Sequence, residues 1–430
     1  MTKLNIELIN TGSELMLGRV LNTHQQWLCR QLADLGYLVQ RQVAVDDSGP
    51  TIQQAIRQAL AGADLVITTG GLGPTSDDRT RDLIAALLGR KLREDAAVLA
   101  NIEGFFAARK RPAPAITKVQ ALVPEGAQVL PNAYGTAPGL ALEINPNSFR
   151  EDGKPSWLIM LPGPPRELRP MFSAQVAPLL RTKFPLKAPF VCRTLKSTGL
   201  GESLVEEKIA GPLEALTKAG LVIGYCARVG EVDVRLVAHG LDAEQKVMEA
   251  EQLIRTAIGR YIFGEGDEQL EDVVIRLLST QKQTLAVAES CTGGRIADRL
   301  TNVPGASAVL LAGLVTYSNE AKKTMLGVLA ETLAAHGAVS EPVAREMAQG
   351  ARQRTGADYA LAVTGIAGPG GGTPEKPVGT VFIALATPWE TRILDLVNPY
   401  DRETFKEVTS QQALELLRRT RLKEADLSVG

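Results

Sequence analysis

The 430-residue chain has four cysteines, Cys29, Cys192, Cys226 and Cys291, and none stands in a Cys-x-x-Cys pair. That scatter speaks against a structural zinc site or a disulfide framework. Histidine is as sparse: His24, His239 and His336 are the three present. Charge of one sign is missing, since 47 basic against 48 acidic residues leave a net of −1. Composition therefore gives no electrostatic case for nucleic acid or a membrane surface as the main partner. No uninterrupted apolar run is long enough to cross a bilayer. The N-terminal Met-Thr-Lys-Leu-Asn-Ile-Glu-Leu lacks the apolar core of a signal peptide and reads directly as a strand. A reducing cytoplasm is the expected location. No repeat or low-complexity tract occurs. What remains is 45% hydrophobic and 22% charged, the balance of a soluble globular protein, with a length that calls for two or three domains.

The most informative segment is Ala288-Glu-Ser-Cys-Thr-Gly-Gly294. It follows the apolar run Thr284–Ala288 and precedes a helical pattern carrying Ile296, Ala297 and Leu300. A buried strand thus ends in hydroxyl, thiol and glycine residues where a helix begins. A helix start offers unpaired N–H groups to an anion or a developing oxyanion. Ser290 or Cys291 would stand beside them as nucleophile, and the residue pattern does not choose between the two. Two further polar clusters follow, Thr316–Lys322 and Thr364–Gly372.

The chain before this region alternates strand and helix. Leu4–Asn10, Tyr37–Val45 and Asp64–Thr69 read as strands, and Thr23–Leu35 and Ile52–Leu60 as amphipathic helices between them. Such alternation implies a parallel sheet covered on both faces, with ligands beyond the carboxyl ends of its strands. Thr11-Gly12, Asp46-Asp47 and Gly70–Asp78 gather at those ends. Ala137–Leu142 and Trp157–Leu161 add further strands. From about Lys187 to Gly264, strands at Phe190–Thr198, Leu221–Tyr225 and Glu231–Ala238 and helices at Leu204–Leu216 and Asp242–Ile258 form a small α+β module. Its mixed charge and few aromatics favour a connector over an RNA-binding module. The expected architecture is α/β throughout. A Rossmann-like parallel-sheet domain spans 1–170, the α+β module 171–264, and an α/β domain 265–430 that ends in a helix near Glu403–Leu417.

A serine nucleophile needs a base. In the C-terminal region His336 sits where a helix ends, which favours a structural role. Lys322 and Lys323 are the alternatives, since burial lowers a lysine pKa. Thr364 and the glycines after it are placed to add oxyanion donors or to hold a phosphate. In the N-terminal region, Gly70, Gly71 and Gly73 after a strand suit phosphate, and Asp77-Asp78 suit a hard divalent cation. Taken singly, each cluster is more often a cap, a turn or a surface charge. Their shared placement at element ends favours sites.

Glu289–Gly294, Val315–Asn319, His336–Pro342, Thr364–Pro369 and Lys376–Thr380 together resemble the C-terminal CinA (PncC-type) family. That resemblance implies hydrolysis of the carboxamide of nicotinamide mononucleotide (NMN), without a cofactor. It places the nucleophile on Ser290 and the base on Lys322. Tyr317 and Thr364 assist, and Thr292, Gly293, Asn319, Gly365 and Arg402 contact substrate. Where the family often has a second arginine, this chain has Lys406, which weakens a bidentate phosphate contact.

Gly12–Glu14, Asn22-Thr23, Gly70–Asp78, Asn132 with Gly135–Gly139, and Leu161–Pro165 with Glu167 resemble the N-terminal CinA domain, which is related to molybdopterin-binding proteins. The resemblance implies a metal-dependent ADP-ribose pyrophosphatase. Asp77, Asp78, Glu14 and Asp46 would hold the divalent ion, and Gly70, Gly71 and Gly73 would meet phosphate. Where the motif usually has Asn-Thr-Asn, this chain has His24 third. The whole reads as a cytoplasmic, homodimeric enzyme of pyridine-nucleotide salvage acting on NMN and ADP-ribose, without membrane or direct nucleic-acid contact. The rival expectations are a pterin- or nucleotide-binding N-terminal domain and a non-enzymatic partner in competence or DNA repair.

Overall fold

The computed structural model describes residues 4–428. They divide into two compact units at Phe190/Val191. The first holds a six-stranded sheet in the order Val39–Val45, Ile6–Thr11, Leu65–Thr69, Ser156–Leu161, Gly139–Ile144, Gln128–Leu130. The first four strands are parallel. Side chains alternate between the two faces. Ile6, Leu8, Leu65 and Ile67 pack with Leu28 and Leu32 of the helix Thr23–Asp34. Ile9 and Val66 pack with Ile52, Ile56 and Leu60 of the helix Gly49–Leu60 on the other side. Each such fully buried aliphatic contributes about 1.5–3 kcal/mol, enough for these stripes to fix the strand phase.

The parallel expectation fails at Gly139–Ile144, which runs antiparallel to both neighbours. A parallel return needs a crossover, usually helical. Residues 145–155 hold no helix, so the chain turns straight back into Ser156–Leu161.

The second unit contains two sheets. One has the order Val222–Arg228, Glu231–His239, Phe190–Thr198, Ile262–Glu265. Val205, Ile209 and Leu213 of the helix Glu202–Lys218 and Val247 and Ile254 of Ala243–Ile258 share a core with Val232, Val234 and Leu236. The other sheet has the order Leu310–Val315, Leu285–Glu289, Tyr359–Gly365, Thr380–Ala386, Thr391–Val397. Its first three strands are parallel and the last two antiparallel. One face carries Ala286, Ala288, Ala360, Ala362 and Ala384, and their small size lets Met347, Ala348 and Ala351 of the helix Glu341–Thr355 lie close against the strands. The opposite face packs Leu285 and Val287 against Phe405, Leu414 and Leu417 of the helix Arg402–Ser428. No described helix is long and apolar enough to cross a membrane.

Candidate active site

Glu289 pairs with Val315 on one side and Val363 on the other. The three parallel strands therefore end level, and Ser290, Thr316 and Thr364 emerge at one sheet edge. Ser290 N–H donates to Val363 O at 3.0 Å, and Thr316 N–H to Glu289 O at 2.8 Å. These bonds fix the Ser290 turn to both neighbouring strands.

Lys322 comes from the helix Asn319–Leu326, whose start is capped by the Ser318 hydroxyl accepting from Ala321 N–H. Its Nζ lies 3.1 Å from Ser290 Oγ, 2.9 Å from Thr316 O and 3.4 Å from Tyr317 O. Lys322 is 1% exposed, and none of these contacts is to a carboxylate. Burial pulls its pKa below the ordinary lysine value. A neutral amine has two hydrogens and one lone pair. In the neutral form the two carbonyls would take the hydrogens and leave the lone pair for the Ser290 hydroxyl; in the charged form Nζ donates to all three oxygens.

Cys291 is buried and its thiol is pushed up to about 12, chiefly by desolvation. A thiol so held is not a thiolate near neutral pH. Of the two residues the pattern left open, Ser290 is the one whose side chain meets the Lys322 amine.

The helix start after Ser290 is not the open anion site that the sequence suggests. Glu289, fully buried, accepts from Gly294 N–H at 3.0 Å, Ile296 N–H at 3.1 Å and Ala297 N–H at 2.9 Å. Its carboxylate already occupies the end of the helix Arg295–Thr301. Two buried hydroxyls near Ser290 in the chain or sheet, Thr292 Oγ1 and Thr316 Oγ1, have no partner among the described residues.

Arg402 donates to Gly368 O at 2.9 Å and to Tyr317 Oη at 3.0 Å, so Tyr317 and Arg402 are brought together. Asn319 opens the Lys322 helix. Thr292 and Gly293 line a cleft with Arg295 and Lys406. Thr364 is 1% exposed and its hydroxyl donates to Ala338 O at 2.8 Å, which commits it to the backbone of that segment. Gly365 lies against Thr380 O, where a Cβ would come within 2.7 Å.

A second site lies at the carboxyl ends of the parallel strands in the first unit. A cavity of about 580 Å³ is lined there by Glu14, Asp47, Gly70, Gly71, Gly73, Asp77, Asp78 and Glu167, with His24 and Gln120. Asp46 is not on the lining. It accepts from Ser48 N–H at 3.1 Å ahead of the helix Gly49–Leu60, while its neighbour Asp47 lines the cavity and accepts from Ser13 N–H at 2.7 Å. Asp78 Oδ2 accepts from the N–H and hydroxyl of Thr75. A Cβ on Gly73 would stand 2.2 Å from that oxygen, and one on Gly70, at φ +96°, 2.6 Å from Thr11 O. Both glycines are required by their own loop before any ligand is considered. Glu167 accepts from Asn132 Nδ2 at 2.8 Å, and burial raises its pKa.

Among the described residues no three His, Cys, Asp or Glu side chains are grouped as a ready metal cage. The cavity nevertheless fits a divalent ion in another way. Among the described residues, five carboxylates line it and no lysine or arginine does. A phosphorylated ligand placed there needs a countercharge, and Mg²⁺ commonly uses one or two carboxylates plus the substrate's own phosphate oxygens.

Three family models match the chain: "CinA C-terminal domain" over residues 267–421, "Probable molybdopterin binding domain" over 7–182, and "Damage-inducible protein CinA KH domain" over 192–264. A CinA-like protein of Akkermansia muciniphila is 45% identical over 99% of both chains. A CinA-like protein of Gemmatimonas aurantiaca is 42% identical over 99% of both. The crystal structure of the competence/damage inducible protein CihA from Agrobacterium tumefaciens is 43% identical over 35% of this chain and 94% of that one, with a TM-score of 0.33.

Proposed function

The chain belongs to the CinA family, and on that premise we propose that its C-terminal domain is an amidohydrolase that converts NMN and water to nicotinate mononucleotide and ammonia. The observation that carries this reading is the 3.1 Å approach of a buried lysine amine to the Ser290 hydroxyl. Lys322 takes the Ser290 proton while Oγ bonds to the carboxamide carbon. The tetrahedral oxyanion collapses, the C–N bond breaks, and Lys322 returns the proton to the departing ammonia. Water then attacks the nicotinoyl ester, giving its proton through Lys322 to Ser290 Oγ. Arg402, held against Tyr317 Oη, faces the substrate phosphate, and Lys406 is a weaker second cation.

The N-terminal cavity is read as an ADP-ribose pyrophosphatase site. Asp77 and Asp78 are the carboxylates that would hold a divalent ion, which supplies the countercharge for the diphosphate. Asp47 replaces Asp46 as the third acid of this edge, and Glu14 and Glu167 complete the lining.

Ammonia release from NMN by wild type, Ser290→Ala, Cys291→Ala and Lys322→Met tests the amidase. Loss in the Ser290 and Lys322 variants with retention in Cys291→Ala supports it. Retention in Ser290→Ala, or no release by a folded wild type, overturns it and moves weight to a binding role in competence or repair.

A further inference from the structure

Two side chains on the lining of the N-terminal cavity carry a buried polar atom left without a partner among the described residues, Nδ1 of His24 and Oε1 of Gln120. Gln120 lines the cavity and is 1% exposed. It lies in the 3-10 helix Ala115–Ala121. Its Nε2 donates to Leu72 O at 3.4 Å, the orientation that keeps the amide oxygen away from that carbonyl. Its Oε1 is buried and has no partner. A buried acceptor left unpaired costs stability unless a ligand completes it.

The missing partner must be a donor. Gln120 is the only neutral amide among the described residues that line the cavity. The sugar hydroxyls and metal-bound phosphates of a nucleotide have Glu14, Asp47, Asp77 and Asp78 available. Leu72, whose carbonyl accepts from Gln120, and Ala137 also line the cavity, both buried and apolar, and such a lining suits the flat face of a base better than a sugar. A glutamine amide edge matches the amino group and adjacent ring nitrogen of adenine, with the second Nε2 hydrogen free to complete the pair.

We propose that Gln120 reads the 6-amino edge of an adenine nucleotide and makes this cavity selective for it. The inference rests on the nucleotide reading of the N-terminal site, and it concerns recognition rather than cleavage. A site built around a buried hydrogen-bonding group rejects an analogue that lacks the matching donor.

The test is equilibrium binding to the full chain, by calorimetry with Mg²⁺ present. AMP is compared with the 6-unsubstituted purine ribonucleoside monophosphate, in wild type and in Gln120→Met. AMP is expected to bind at least about tenfold more tightly to wild type. Gln120→Met, close in volume and without the amide, should remove that preference by weakening AMP alone. Equal affinities in wild type overturn the proposal without recourse to any variant. So do equal losses of both ligands in Gln120→Met, a preference that survives the substitution, or binding of neither nucleotide. ADP-ribose turnover is assayed in parallel. An AMP preference that depends on Gln120, found without ADP-ribose cleavage, leaves this inference standing and removes only the pyrophosphatase reading.

Discussion

The carboxylate of Glu289 accepts a 2.9 Å hydrogen bond from the backbone N–H of Ala297. With the bonds from Gly294 and Ile296 it ties the strand that leads into Ser290 to the helix that follows it. The acid is buried and its charge is met by backbone donors and the helix dipole, not by a cation. Its task is to hold the Ser290 turn in shape.

Glu289→Gln should therefore act first on stability. The amide cannot accept from three donors with both ends, and its NH₂ meets an N–H. The expected loss is about 2–4 kcal/mol. Urea unfolding would measure it. A midpoint unchanged from wild type would show that the carboxylate is dispensable to the turn.

Lys322→Met should separate activity from stability. Ammonia release is expected to fall by at least about 10²–10⁴-fold, the range for loss of a positioned base. The stability sign follows from the lowered pKa. Between that value and the unfolded lysine value of about 10.4 the unfolded chain binds more protons, so stability rises with pH across this window. The increment is absent below it, where both states are protonated. Unfolding at pH 7 and pH 9.5 should show the rise in wild type and a smaller rise in Lys322→Met. In wild type, activity should climb with pH and level off below the ordinary lysine range. Equal pH slopes in the two proteins would argue that Lys322 is charged in the fold.

Cys291→Ala should keep ammonia release within a few-fold of wild type. With its thiol pushed up to about 12, Cys291 should also resist alkylation at pH 8 in the native protein, whereas the exposed Cys226 should react. Peptide mapping after iodoacetamide treatment would tell them apart. Rapid labelling of Cys291 that tracks loss of activity would return the thiol to consideration as nucleophile.

That the Ser290 and Lys322 segments share one edge was legible because both follow strands, and parallel strands must deliver their carboxyl ends to one edge. The choice of Lys322 over Lys323 and of Ser290 over Cys291 came from the family resemblance. Glu289 was not legible, because its partners stand five, seven and eight residues on, and only the tertiary turn of Gly293 and Gly294 brings them round. The choice between Asp46 and Asp47 was equally hidden. Adjacent side chains point apart, and the phase is set by how Val45 enters the core. The direction of Gly139–Ile144 depended on the absence of a helix in the link that follows it, which strand periodicity does not report. Gln120 lies in a short 3-10 turn whose sequence carries no hydrophobic period, and its importance is visible only through the oxygen it leaves unpaired.

Arg402→Lys should raise KM for NMN about tenfold or more with a smaller change in kcat. Arginine here bridges Gly368 O and Tyr317 Oη, and a lysine cannot keep both bonds while presenting a planar fork to phosphate. Tyr317→Phe removes one of the two anchors and should produce the same pattern more weakly. A fall in kcat at unchanged KM would place Arg402 in the chemistry rather than in substrate binding.

Chelation should distinguish the two sites. Among the described residues, the N-terminal cavity presents five carboxylates and no lysine or arginine, so a diphosphate would meet only like charge there. Binding of ADP-ribose, and not merely its turnover, should then require a divalent ion. Calorimetric titration with Mg²⁺ should give a signal that EDTA abolishes, and Asp78→Asn should weaken it. Ammonia release from NMN should be indifferent to EDTA, since Ser290 and Lys322 need no metal for their proton transfers. ADP-ribose binding that survives EDTA would mean that cationic groups outside the lining reach the phosphates. An uncharged pterin that binds equally with and without EDTA, where ADP-ribose does not bind at all, would instead mark the cavity as a site for neutral heterocycles.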